Sequence, residues 1–577
     1  MKSLNYSSIT ALLRRINAAK AKSDETGIPV RELMDQDREL RIKLQRERRE
    51  AEERRNFLRT AGGLGLGAGM MAASPMAFAK KGNQGGGNDN DLRIAIVGGG
   101  TGGLRTAHRL MQFGIRSTVY EASDRLGGRM YSDRSAESGI FSDDRVIEWG
   151  GEFISTEHTA ARNLAHQLGL ELEDVNKLSL GDEETYLIEG VMYNEHNLLD
   201  EWVGGIYDIM KRAQLDAPWQ PMYNTEHTAE HLYYDNIDAI DWMEQIGYGR
   251  DNWVHKILLA DLIAEYGITE GNSALNLIYL LGWNTRNSGG LPLAGTDERL
   301  HVIGGNDLIP LRMRDQLVAQ YDDDVIKYGH KLEAISGDYN GPYTLSFDNR
   351  TEVTCDLLVM ALPFNLIADV DIADSIWDNF IPQKRQGITE APANNVSDNG
   401  KVMMEITDRH WDMVRNIQGR DVQMAARAYS FSGETSRTYR GFISTWEGEP
   451  GNPSPLGLLV DYNGGYEARN LKSRVYHGAA DPRDVNRVLE QAELVWPGIS
   501  AKYNGRAVVS NWIDDPLARS AFTSPSIGTM TGWWGSQWVT EGNIYFAGEA
   551  YDMEYWSYMN GAVLSGERVA TEIHQNF

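Results

Sequence analysis

The sequence predicts an α/β fold with a second, α+β domain inserted in pieces, and three observations lead there. A strand, glycine turn, helix and second strand run through 93–129, RIAIVGGGTGGLRTAHRLMQFGIRSTVYEASDRLGGR. A further strand, loop and helix close the chain at NIYFAGEAYDMEYWSYMNGAVLSGERVATEIHQ. Between them, helical periodicity from about 156 to 287 and a mixed stretch from 373 to 504 interrupt the strand-rich segments. Elements of one nucleotide-binding sheet scattered this widely imply an insertion.

In the first unit Ile94–Val97 reads as a buried strand, Leu104–Phe113 as a helix and Ser117–Tyr120 as the next strand. Gly98, Gly100 and Gly103 fill the G-x-G-x-x-G spacing, with Thr101 and Gly102 inside it. The first glycine permits the turn, and the second lets main-chain amides approach a pyrophosphate. The third lets the helix sit close to the strand, its positive end facing the anion. Glu121 follows Gly103 by 18 residues, where a carboxylate meets ribose hydroxyls. EWGGEFI at 148–154 reads as another strand entering a close turn. HTAARNLAHQLGL, DNIDAIDWMEQIG and DNWVHKILLADLIAEYG read as helices; RLHVIGG, DVIKYGHKLEAISGD, YTLSFDN and CDLLVMALPF as strands.

Composition sets the class. The chain has 577 residues, 41% hydrophobic and 24% charged, enough for more than one packed domain. A formal charge of −26 with no basic stripe excludes a nucleic-acid binder. Such acidity keeps a surface solvated, and it also favours cationic substrates. One cysteine, Cys355, excludes an intramolecular disulfide framework and cysteine-based metal sites, so no metal is expected. Its strand-like setting predicts a buried, inert thiol. No G-x-S-x-G elbow and no H-E-x-x-H occurs, which removes hydrolase and zincin readings.

The N-terminal region reads separately. Arg54-Arg55 precede a glycine- and alanine-rich apolar run ending at Ala77-Phe78-Ala79, the layout of a twin-arginine signal with an A-x-A site. The Ser or Thr usual before the arginines is missing. The run holds too many glycines for a stable membrane span. Export to the periplasm or beyond is expected, with 54–79 as signal and the polar run 80–90 as linker. Residues 1–53 are a charged extension, either exposed or upstream of the start that is used.

VGGGTGGL (97–104), EASDRLGGRM (121–130), EWGGEFI (148–154), VIGGNDLIPL (302–311), ALPF (361–364), WIDDPLARSAF (512–522), YFAGEA (545–550) and YMNGAVLSGERVA (558–570) occur in that order. Together they resemble the flavin-containing amine oxidase family, which includes monoamine, polyamine and L-amino-acid oxidases. The resemblance spans 91–577. It implies a Rossmann-like FAD-binding domain assembled from 91–155, 298–372 and 505–577, and a substrate domain from 156–297 and 373–504. It implies FAD, held without a covalent bond because no cysteine falls in 512–535.

By position, the resemblance puts Glu121 and Ala122 at the adenosine ribose, Arg129 near the pyrophosphate and Leu332 at the adenine. Gly150 and Gly151, followed by Glu152 and Phe153, would pass beside the isoalloxazine. Glu549 would hold the ribityl-phosphate portion, and Met559 would approach the flavin from the last helix. Lys401, in the run NGKVMMEITDRHW, would bind a water at flavin N5. Tyr558, Trp556 and Trp534 would wall the substrate. The implied reaction is oxidative deamination by hydride transfer to N5, with dioxygen as acceptor and hydrogen peroxide as product. An L-amino acid, basic ones included, is the favoured substrate, with a plain amine or polyamine, or a flavin dehydrogenase, as alternatives. One departure weakens the favoured reading: many L-amino-acid oxidases carry G-x-M-R at this turn, whose arginine grips the substrate carboxylate. Here Phe153 stands in its place. The sequence is silent on oligomeric state, a homodimer being one option.

Overall fold

The computed structural model of the chain describes residues 9–40, 43, 92–175, 184–267, 271–281, 297–432 and 444–577. The twin-arginine segment 54–79 and the linker 80–90 lie outside the described residues.

Five parallel strands form the nucleotide-binding sheet, in the order Ile544–Phe546, Leu357–Met360, Ile94–Val97, Thr118–Tyr120, Ile326–Lys327. The central strand is apolar at every position because both faces are covered. Its alternation sorts the layers. Ile94 and Ile96 pack with Leu104, Leu110, Met313 and Val563 of the flanking helices, while Ala95 and Val97 share a core with Leu332, Ile335 and Tyr343 of a four-stranded sheet. The first helix runs Thr101–Gln112, beginning three residues before the expected Leu104 and starting inside the glycine turn itself. Cys355 is buried, and burial pushes its thiol up to about 12.

The substrate side is built on an eight-stranded sheet whose central strands are Asn399–Ile406 and Gly457–Gly464. In Asn399–Ile406, Val402, Met404 and Ile406 face the helix Pro482–Val495, through Val485, Val488 and Ala492. Lys401 and Met403 therefore face the opposite way, toward the nucleotide domain. The strand Tyr503–Asn511 belongs to this sheet, pairing with Asn399–Ile406. The expected boundary at 505 thus falls inside a substrate-domain strand, a correction that periodicity alone did not offer because both sheets read as apolar runs. The helical stretch from 156 also holds a hairpin, Thr185–Ile188 with Val191–Asn194, at the edge of the sheet.

The charged extension is the larger surprise. Ile9–Thr26 and 30–40 are helical, and Leu12, Leu13 and Ile16 are buried in the substrate domain. Of the two readings left open for 1–53, exposure does not hold for these residues. The charge run that suggested exposure lies at 41–55, beyond them. No described helix is long and apolar enough to cross a membrane.

Candidate active site

The glycine turn opens onto a cleft with about 1170 Å³ of empty space, part of it open to solvent. Gly98, Gly100, Thr101, Gly102, Glu121, Ala122, Arg129, Leu332 and Glu549 line it. Gly103 does not, and its role is packing: a Cβ there would drive into the Gly98 carbonyl oxygen. At Gly100 a Cβ would meet nothing within 4 Å, so the main chain there faces open space that a ligand could approach. No side chain caps the helix Thr101–Gln112, and its first turn holds no acid, leaving its positive end for an anion. Glu121 is held by Gly99 N (2.7 Å) and Ser123 N (2.8 Å) at the cleft wall, in position for ribose hydroxyls. These features fit the dinucleotide that the family resemblance implies.

Arg129 and Glu549 meet across the cleft. Arg129 Nη2 donates to Glu549 Oε1 at 2.8 Å, with side-chain exposures of only 10% and 2%. Glu549 also accepts from Thr523 Oγ1 (2.9 Å) and from Ser557 N (2.9 Å). Ser557 sits at φ 69°, a left-handed conformation unusual for a residue with a side chain. That kink places Trp556 and Tyr558 on either side of it, at the head of the helix Met559–Asn576. Trp556 packs edge-on against Trp534, with centroids 5.1 Å apart, and its other neighbour is Tyr266 at 6.3 Å. Tyr558 packs against His158, 4.9 Å away. Burial drives the His158 pKa down to about 3, so its imidazole is neutral.

Gly150, Gly151, Glu152 and Phe153 do not wall the main cleft, and neither do Tyr558, Trp556, Trp534 and Met559; all of them lie outside it as formed here. The turn touches the cleft through Trp512, whose indole would press on a Cβ at Gly150. What distinguishes this turn is its carbonyls, five in succession tied back by side chains. Lys401 Nζ donates to Glu148 O and Gly150 O, both at 3.0 Å. Ser510 Oγ and Trp512 Nε1 donate to Trp149 O at 2.6 and 2.9 Å. Asn306 Nδ2 donates to Gly151 O and Glu152 O at 3.0 and 2.7 Å.

Lys401 is buried on an interior strand of the eight-stranded sheet. Its third donor goes to Glu152 Oε2 at 2.8 Å, and Glu152 Oε1 accepts from Trp446 Nε1 at 2.9 Å. An ammonium has three donors, and all three are taken. The water-holding role implied by the resemblance would require one of these bonds to open.

Further support comes from residues the motifs did not flag. His301 Nε2 pairs with Glu148 at 2.8 Å and its Nδ1 with Glu173 at 3.2 Å. Burial alone would lower its pKa, but the hydrogen bonds and charges of the two carboxylates outweigh this and raise it to about 10. Trp512 stood in a quoted motif without an assigned role. His301 adjoins VIGGN, whose Asn306 grips the turn. Trp446 and His158 lie in no motif, so no local signal marked them.

Comparison with known proteins identifies the family and the fold. The chain is 23% identical to the flavin-containing amine oxidase B of Canis lupus familiaris over 83% of this chain and 85% of that one. A triple mutant of putrescine oxidase redesigned for cofactor binding superposes with a TM-score of 0.66 at 18% identity, covering 84% of this chain and 99% of that one. Cyclohexylamine oxidase from Brevibacterium oxydans IH-35A gives a TM-score of 0.66 at 17% identity, covering 84% and 99%. The family model for flavin containing amine oxidoreductases matches residues 101–574, and the chain belongs to that family.

Proposed function

We propose that the protein is an FAD-dependent oxidase of amines that lack a carboxylate, holding its cofactor without a covalent bond. The observation that carries the substrate class is the Lys401–Glu152 pair. Of the described cations beside the turn, Lys401 is neutralised by Glu152 and Arg129 by Glu549. Phe153, where an arginine would grip an amino acid, is buried against Trp446. A substrate carboxylate would enter this region without a charge partner among these groups, at a steep desolvation cost. The amine reading therefore displaces the L-amino acid favoured by the sequence. The names of the relatives support it. Non-covalent FAD fits the one cysteine, which stands outside the cleft lining.

Bound beside the turn at 148–152, FAD would supply the hydride acceptor for the amine-bearing carbon. The chain's own contribution is dryness and position. Trp534, Trp556, Tyr266 and Tyr558 would exclude water from the substrate, and an apolar surround favours loss of the ammonium proton, giving the neutral amine. The bolted turn at 148–152 would hold the ring against the substrate with little freedom to shift. Dioxygen is the proposed acceptor and hydrogen peroxide the product.

Peroxide production with tyramine, putrescine, phenylalanine, lysine and arginine tests the proposal. Turnover is expected with one or both amines, and turnover confined to amino acids would overturn it. Turnover with an artificial acceptor but none with oxygen would replace the oxidase by a dehydrogenase.

A further inference from the structure

Residues 9–40 precede the predicted export signal, in the part an exported chain would shed, yet they are built into the substrate domain. The helix Ile9–Thr26 turns Leu12, Leu13 and Ile16 inward with no exposure at all, a spacing that places all three on one stripe. This helix packs against the helices Glu195–Glu201 and Trp253–Tyr266 and the π-turn Trp202–Ile206. Its apolar residues share one core with Leu198, Trp202, Ile206 and Ile257, and Leu33 and Met34 extend it.

Polar contacts fix the register. The Trp202 indole, fully buried, donates to Asn17 Oδ1 at 2.7 Å, and Asn17 is itself 2% exposed. Without Asn17 that N–H would be left buried and unpaired. The charges are complementary: Arg15 lies 3.6 Å from Glu195, and Arg31 pairs with Asp200 at 2.6 Å. Removing the segment would uncover a contiguous apolar groove with Trp202 at its floor, flanked by carboxylates. Such a surface on a soluble domain calls for an occupant.

We propose that this groove is a docking site for the chain's own N-terminal segment, which stays clasped to the substrate domain even when the backbone joining it to the nucleotide domain is cut. The segment is then a permanent part of the working protein and not a discarded leader.

The test uses the full chain with a site-specific protease sequence placed between Gly85 and Gly86. After cutting, the small fragment is expected to co-elute with the large one in native gel filtration and to separate only in denaturant. The cut protein should melt within about 2 °C of the uncut one. A fragment that elutes by itself in native buffer overturns the proposal. Leu13→Asp in the uncut chain provides a second readout, expected to lower the melting temperature by about 5 °C or more. An unchanged melting temperature overturns the proposal as well. Neither measurement uses activity, so each stands whether or not the amine reading survives.

Discussion

At the end of the cleft expected to take the nucleotide, the main chain would do the binding. Glycines make room, an uncapped helix end offers its dipole, and one carboxylate, Glu121, sits where ribose would lie. At the turn 148–152 the main chain is instead what gets bound: Lys401, Ser510, Trp512 and Asn306 hold its carbonyls from behind. A site that recognises a constant group can be built from backbone spacing. A site that must fix one ring edge against variable substrates is held by side chains drawn from distant strands. The two ends should therefore break differently.

The largest effect is expected at the nucleotide end. Gly103→Val forces the helix away from the Gly98 carbonyl, and the purified protein should lose essentially all its flavin, read from its visible spectrum. Next comes the pair that joins the two ends. Glu549→Gln leaves Arg129 buried beside a neutral group and should cost about 3 kcal/mol in urea unfolding, since both partners are nearly inaccessible. Flavin content should fall with it.

Glu152→Gln tests the turn alone, and about 2 kcal/mol is expected because the Gly150 and Glu148 carbonyls still receive Lys401. Flavin binding should largely survive. The double variant Lys401→Met with Glu152→Leu should be less destabilised than the sum of the single variants, since it leaves no unpaired charge. An additive result would show that the pair is not coupled.

The last effect is read from pH dependence. His301 has a folded pKa of about 10, above its unfolded value near 6.5. Its contribution is fully present below about 6.5 and is lost as pH rises toward 10. His301→Gln should therefore lower the melting temperature most on the acid side, where the contribution is fully present, and flatten the decline across the alkaline window.

The same contrast explains what could be read from the sequence. Gly98 to Glu121 were legible because their roles depend on spacing within one strand–turn–helix–strand unit. Lys401 was found by resemblance, but its partner's role was not, because Glu152 and Trp446 are 294 residues apart and meet only in the fold. The five-stranded sheet could be placed from its apolar runs, whereas the boundary expected at 505 cuts the strand Tyr503–Asn511, because an apolar run does not say which neighbour it will pair with. The buried helix at the N-terminus was overlooked because the adjacent charge run dominated its reading.

The most direct test of the proposed substrate class is anaerobic mixing of the flavin-loaded protein with compounds that differ only in a carboxylate. Phenethylamine against L-phenylalanine, and cadaverine against L-lysine, make two such pairs. Bleaching of the flavin's visible absorbance by an amine, with its carboxylate-bearing counterpart inert or far slower, is the predicted result. Faster bleaching by the amino acid in both pairs would contradict the account.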